Sequence, residues 1–309
     1  MNIQTVLGPV PIEDVKLADA HAHVWISPPK GVAPKHQLEL NKFQSIDAEL
    51  KDFRSAGGTT LIDCQPGGCG RDARMLAKFS ETHGLHITST TGFHLERYYP
   101  SGSWLWTSSE QPAIDYFVSE LTSGLREYGE ALATTIKVGF EGKIEGQTRI
   151  LMEAAAEAAR QTGAAILVHT EQGFNAEELP LFFDDRGVPP QQVYLCHLDK
   201  RADFGLHQEL AQAGMLLGYD TFARSKYKPR KTSWPLLMQM IRRGFEDHIA
   251  IGLDLARNTM WQHYGGEPGL VYLPDRILPL LHNEGLSETV VSKLTAQNIA
   301  QFLVRRTEN

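Results

Sequence analysis

LADAHAHVWI, Leu17–Ile26, places two histidines two residues apart inside an apolar run that also carries an acid. In a strand, residues i and i+2 project to the same face. Read as a strand over Leu17–His23, the stretch therefore aims His21 and His23 at one place. Seven further apolar runs of strand length follow: Thr59–Cys64, His86–Thr90, Thr135–Val138, Ala165–Val168, Val193–Cys196, Met215–Gly218 and Ile249–Leu253. Helix-like patterns separate many of them, at Ala48–Ala56, Asp72–Thr82, Ile114–Tyr128, Thr148–Thr162, Ala202–Ala213 and Ser233–Arg243. The segment ILMEAAAEAARQTG has high helix propensity, with Gly163 as its stop. Strand alternating with helix across eight strands predicts an α/β chain, a parallel sheet closed into a (β/α)8 TIM barrel. A doubly wound open sheet is the alternative that periodicity leaves open. The stretch from Ser287 to Asn309 is amphipathic and reads as a final helix packed outside.

The bulk properties are consistent with that reading. The 309 residues fit one barrel domain, 1–309. Hydrophobic residues make up 42% and charged residues 22%, the balance of a soluble globular protein. A net charge of −7 argues against a nucleic-acid partner. No apolar run approaches membrane-spanning length, so no membrane association is expected. The opening MNIQTVLGPVP lacks the build of a signal peptide, and the three cysteines, Cys64, Cys69 and Cys196, are few and odd in number. Together these point to a reducing cytoplasm.

The polar residues at the strand ends carry the chemistry. His21 and His23 end the first strand, and Lys137 lies inside TTIKVG. His169 closes AAILVHTE, His197 closes VYLCHLD, and Asp254 closes IAIGLD. In a barrel the C-terminal strand ends meet at one face, where active sites are built. Each residue alone has an ordinary explanation: a satisfied polar strand end, a snorkelling lysine, an aspartate capping the next helix. All six together at strand ends are harder to explain so, and histidine and carboxylate are ligands for zinc and similar divalent ions. His36, His83, His86, His207, His248 and His282 fall at helix, loop or early-strand positions and read as structural or solvent-facing.

The stretches DAHAHVWISP, GGTTLIDCQPGGCGRD, TTGFHLERYYP, TIKVGF, LVHTEQG, LCHLDKRAD and IGLDLAR, in that order, resemble the phosphotriesterase family of the amidohydrolase superfamily. The resemblance runs from TVLGPVP to LTAQNIAQFL. It implies a metal-dependent hydrolase with two divalent ions, zinc first and manganese or cobalt as alternatives. His21, His23 and Asp254 would hold the more buried ion, and His169 and His197 the more exposed one. Lys137, carboxylated by carbon dioxide, would bridge them. The chemistry agrees, because a lysine ammonium has no lone pair to donate, whereas its carbamate is an anionic ligand with two oxygens. A hydroxide shared by two metals would then be the nucleophile, with Asp254 as the catalytic proton acceptor. The family's dimers imply a homodimer.

The substrate is written in the strand-end loops. Their candidate substrate-binding residues are Cys69, His94, Tyr99, Arg224, Arg257 and His263. Arg71 and Asp72 read as anchors for the following helix, and Lys228 and Arg230 as solvated. Lactone-hydrolysing relatives tend to carry a tyrosine where TGFHLERYYP has His94. With the cationic seventh and eighth loops, this points to a small polar, anionic substrate: a sugar lactone or phosphorylated sugar lactone. A phosphoesterase acting on a phosphodiester or cyclic phosphate is the alternative, with promiscuous phosphotriester activity. A barrel that binds a small ligand without turnover is the third reading.

Overall fold

The computed structural model describes residues 1–306. An antiparallel hairpin, β1 (Asn2–Thr5) and β2 (Gly8–Pro11), precedes a ring of parallel strands. These are β3 (Ala18–Ala22), β4 (Thr60–Asp63), β5 (His86–Thr88), β6 (Thr90–Gly92), β7 (Thr135–Phe140), β8 (Ala165–Thr170), β9 (Val193–Cys196), β10 (Leu216–Tyr219) and β11 (Ile249–Ile251). β5 and β6 are one strand broken at Ser89: the first half pairs with β4, the second with β7. The barrel thus has the eight staves expected from the sequence. Gly92 ends the second half in a conformation that only glycine fits, since its φ is +93° and a Cβ there would lie 2.1 Å from the Lys137 carbonyl oxygen.

The ring closes between β11 and β3, and this separates a barrel from an open sheet. No regular ladder joins these two strands. Instead the Asp254 N–H donates to the His21 carbonyl at 2.9 Å. Asp19 Oδ1 accepts from the His21 N–H at 3.1 Å and the Leu253 N–H at 2.9 Å. Burial pushes the Asp19 carboxyl up to about 7. The closure therefore ties together the two strands that carry His21, His23 and Asp254.

Helices Phe43–Ser55, Ala73–His83, Glu110–Thr122, Gly146–Thr162, Phe204–Gln212 and Ser233–Arg242 cover the outside, close to the expected spans. Asp72 caps its helix by accepting from the Arg74 N–H, and Gly163 ends another in the left-handed conformation. The C-terminal segment is helical from Glu288 to Phe302. Residues 307–309 of the expected final helix lie outside the described residues. One apolar core fills the space between sheet and helices. A second, with Ala18, Ala20, Cys64, Leu167, Tyr194 and Cys196, fills the barrel interior and is continuous with Ile3, Ile299 and Leu303. None of the described helices is long and apolar enough to cross a membrane.

His207 joins helix Phe204–Gln212 to the barrel wall. Its Nδ1 lies 2.7 Å from the Tyr219 hydroxyl, and its Nε2 faces the Leu198 and Arg201 carbonyls at 3.2 and 2.9 Å. Two carbonyls can only accept, so Nε2 carries the proton and Nδ1 accepts from Tyr219. Burial pushes its pKa down to about 4. The unfolded state, near 6.5, binds the extra proton first, so stability rises with pH across this interval. The contribution is fully present above about pH 6.5 and is lost as pH falls through 4, a total of about 3 kcal/mol. Urea midpoints between pH 7 and 4.5 should therefore fall less steeply in His207→Gln than in the wild type. Parallel slopes would refute the assignment.

Candidate metal centre

The C-terminal strand ends open into a cavity of ≈ 300 Å³ lined by His21, His23, His94, His169, His197 and Asp254, among others. His21 Nε2 lies 3.9 Å and His23 Nε2 3.6 Å from Asp254 Oδ1, and His197 Nδ1 lies 3.5 Å from Asp254 Oδ2. The ring centroids of His21 and His197 are 4.5 Å apart, and those of His169 and His197 4.8 Å. His21, His23 and Asp254 offer ligand atoms within 4.8 Å of one another, and so do His21, His197 and Asp220. Lys137 is fully buried in the barrel interior, its Nζ 4.0 Å from Cys196 Sγ. Cavity and barrel interior thus bring all six strand-end residues to one region.

A divalent cation suits these groups. Both ring nitrogens of His21 and the Nε2 of His169 are buried without a hydrogen bond, with Asp220 Oδ2 3.4 Å from His21 Nδ1 and Glu171 Oε2 3.5 Å from His169 Nε2. Such atoms in a protein interior ask for an explanation, and an ion is one. Burial and Lys137 hold the His21 pKa well below its ordinary value, burial and Lys200 do the same for His197, and burial pushes His169 down to about 4. Neutral imidazoles with free lone pairs are metal donors. Burial works against the Asp254 charge, yet the Arg224 guanidinium, His23 and His21 hold its carboxyl well below the usual range. His197 and Asp254 both adopt left-handed backbone, φ +62° and +49°. That conformation is uncommon for residues other than glycine and clusters at functional sites.

Two supports were not legible in the sequence. Asp220, just beyond β10, has Oδ1 at 2.7 Å from His197 Nδ1 and accepts the His197 backbone N–H on Oδ2 at 3.1 Å. Gln65, just beyond β4, has Oε1 at 3.1 Å from His23 Nδ1. Neither stands in an anomalous sequence context, so no signal marked them.

The loop candidates divide. His94, Arg224 and Arg257 line the cavity. Arg224 Nη2 donates to Asp254 Oδ2 at 2.5 Å and also to the Asp254 carbonyl. His94 Nδ1 accepts from the Leu95 N–H at 2.8 Å. Three candidates do not line the cavity. Cys69 is buried beside Gln65, accepting its Nε2–H on both sulfur and carbonyl, and does not line the cavity. Tyr99 turns away beneath the same loop, where its hydroxyl accepts the His94 N–H at 3.0 Å; Tyr98 lines the cavity instead. His263 sits on the outer wall, its Nε2 2.7 Å from Asp52 on helix Phe43–Ser55. His36, read as structural, lines the cavity, together with Lys35, Arg97, Glu171, Lys200, Lys226 and Tyr227. Arg71 stays out of it, paired with Glu120 and Glu127.

The cavity wall carries six Lys or Arg residues, Lys35, Arg97, Lys200, Arg224, Lys226 and Arg257, against two acids, Glu171 and Asp254. Arg97 is paired with Glu141 and Glu171, and Arg224 with Asp254. The other four have no ion pair among the described residues.

Comparison with known proteins places this geometry. The model of the phosphotriesterase family matches residues 1–303. A phospho-furanose lactonase of Mycoplasmopsis synoviae is 29% identical, covering 97% of this chain and 91% of the relative. The human N-acetyltaurine hydrolase is 27% identical over 87% of this chain and 80% of its own length. Among solved structures, an amidohydrolase from Mycoplasma synoviae superposes with a TM-score of 0.92 at 27% identity, covering 100% of this chain and 93% of that one. A lactonase from Listeria monocytogenes has the same fold, with a TM-score of 0.92 at 24% identity, covering 99% and 100%.

Proposed function

Because the chain belongs to the phosphotriesterase family and its relatives are named hydrolases, we propose that this enzyme hydrolyses the ester bond of a small anionic lactone, a phosphorylated sugar lactone above all. One observation carries the reading: the histidine–aspartate cluster shares its cavity with four unpaired cations, in a chain whose net charge is −7. Such a cavity focuses an anionic substrate onto the reacting centre. The named substrates of the two relatives point the same way, since a phospho-sugar and a taurine conjugate both carry an anionic group.

His21, His23 and Asp254 would hold one divalent ion, His169 and His197 a second, with a carboxylated Lys137 between them. Zinc fits the donor set first, manganese or cobalt second. When bound, such ions ionise water near neutral pH and polarise the scissile carbonyl. Asp254 Oδ1 faces His21 and His23. That leaves Oδ2, now gripped by Arg224, to take the proton of the attacking water. Departure of Arg224 toward substrate frees that oxygen. Lys35, Lys200, Lys226 and Arg257 anchor the anionic end of the substrate at the cavity mouth. The three buried free thiols suit work in the cytoplasm.

The test is a substrate panel: a phosphorylated sugar lactone, the same lactone without phosphate, a phosphodiester and N-acetyltaurine. The phosphorylated lactone should give the highest kcat/KM. Turnover of the phosphodiester alone would establish a phosphoesterase, and no turnover with intact metal content a binding protein. Lys226→Ala and Arg257→Ala should each raise KM for the phosphorylated lactone roughly tenfold or more, the scale of one charge-assisted hydrogen bond. Both should leave the neutral lactone unchanged. Equal losses on both lactones would refute the anion-binding role.

A further inference from the structure

We infer that Gln65 is a positioning residue that fixes the tautomer of His23, leaving Nε2 as its metal-donor atom. The inference rests on the assignment of His23 as a ligand.

The argument begins with an acceptor whose role is not negotiable. The Gln65 amide nitrogen Nε2 lies 2.6 Å from the Cys69 carbonyl oxygen. A carbonyl can only accept, so this end of the amide is the NH2 group. The amide oxygen Oε1 is therefore the end facing His23 Nδ1, at 3.1 Å. An amide oxygen also only accepts, so Nδ1 of His23 must carry a proton. In the neutral ring the lone pair then sits on Nε2, the nitrogen 3.6 Å from Asp254 Oδ1. A backbone carbonyl four residues along the chain thus decides which nitrogen of His23 is free to bind a cation.

The surroundings hold this arrangement in place. Gln65 and His23 are both buried. Asp63, at the end of β4, ties the two loops together: its Oδ2 accepts the Val24 N–H at 2.7 Å, beside His23, and its Oδ1 accepts the Gln65 N–H at 3.1 Å. The second nitrogen contact of Gln65, to Cys69 Sγ at 3.1 Å, gives that buried thiol a place in the network. His197 obtains its orientation differently, from the carboxylate of Asp220. The two histidines therefore have chemically different supports, an amide oxygen for His23 and a carboxyl oxygen for His197.

Two substitutions separate the halves of this network. Gln65→Leu removes both the acceptor for His23 and the donor to Cys69. Gln65→Glu keeps an acceptor for His23 and loses the donor to Cys69. The probe is zinc alone, titrated into apo-protein against a competing chelator, alongside 15N NMR of histidine-labelled apo-protein at pH 8. Wild-type His23 should appear as the Nδ1–H tautomer before any metal is added. Gln65→Leu should show a mixture and weaken one zinc site by roughly 10–100-fold. Gln65→Glu should keep the Nδ1–H tautomer and a zinc affinity at least equal to that of wild type. The positioning role is overturned if Gln65→Leu leaves tautomer and affinity unchanged. It is equally overturned if Gln65→Glu loses affinity as fully as Gln65→Leu, for then the Cys69 anchor alone would matter. If wild-type protein shows the expected tautomer but binds no zinc, the ligand assignment fails while the tautomer assignment stands.

Discussion

Lys137→Ala should lose one or both divalent ions and at least about 10³-fold in kcat/KM, the several kcal/mol that a correctly placed metal supplies. A lysine with no exposed surface in a barrel interior is costly unless something compensates it. Burial opposes its charge, but the Cys196 and Cys64 thiols and the Asp254 and Asp220 carboxylates around it hold its pKa above the ordinary value. Among the described residues its one hydrogen-bond partner is a thiol at 4.0 Å, a weak acceptor. A bare ammonium beside two divalent ions would be repelled by both, whereas a carbamate would be attracted. Metal content by mass spectrometry and reconstitution of apo-protein with and without bicarbonate distinguish the two. Full metal loading and rate in Lys137→Ala would eliminate the bridging role, and bicarbonate-independent reconstitution would eliminate the carbamate.

Arg71→Met should lower the unfolding free energy by about 3–5 kcal/mol, the cost of leaving a buried partner charge uncompensated. That is a large share of the roughly 5–15 kcal/mol available to a folded protein. The Arg71 side chain is fully buried and that of Glu120 almost so. Its guanidinium donates to both Glu120 oxygens at 2.6 and 3.0 Å, to both Glu127 oxygens at 2.6 and 2.8 Å, and to the Thr90 carbonyl at 2.6 Å. Only a planar fork satisfies all five acceptors, so Arg71→Lys should recover little. The double variant Arg71→Met/Glu120→Gln should recover part of the loss by removing the orphaned charge. Urea denaturation measures all three. A loss below about 1 kcal/mol, the scale of an exposed pair, would show that water reaches this network.

The candidate site was legible where a residue contradicted its local context. Lys137 within TTIKVG, and histidines closing apolar runs, are anomalies that a strand pattern exposes. Asp220 and Gln65 were not legible, because an aspartate or glutamine just past a strand is ordinary. Cys69, Tyr99 and His263 lie off the cavity wall for a related reason. Loop side chains follow no period, so nearness in sequence to a strand end does not say which way they turn. Lys35, Lys200 and Glu171 enter the cavity through backbone turns that the sequence does not announce.

LADAHAHVWI itself divides what the chain alone determines from what the fold decides. Alternating strands and helices, with histidines at strand ends, were enough for a parallel α/β fold and for a cluster at its C-terminal strand ends, and the contacts between β11 and β3 closed it into a barrel. Strict alternation, however, puts Ala18 and Ala20 on one side of the strand and His21 and His23 on the other. The structure has both pairs facing inward, the alanines in the inner core and the histidines in the cavity. The register against β4 supplies the reason: between the pairs Asp19–Leu61 and Ala22–Asp63, two residues of β3 stand opposite one of β4, which is a bulge. One unpaired residue switches the facing side in mid-strand. Hydrophobic pattern fixes where a strand runs, but a bulge is a property of two strands together, so only the tertiary structure could decide it.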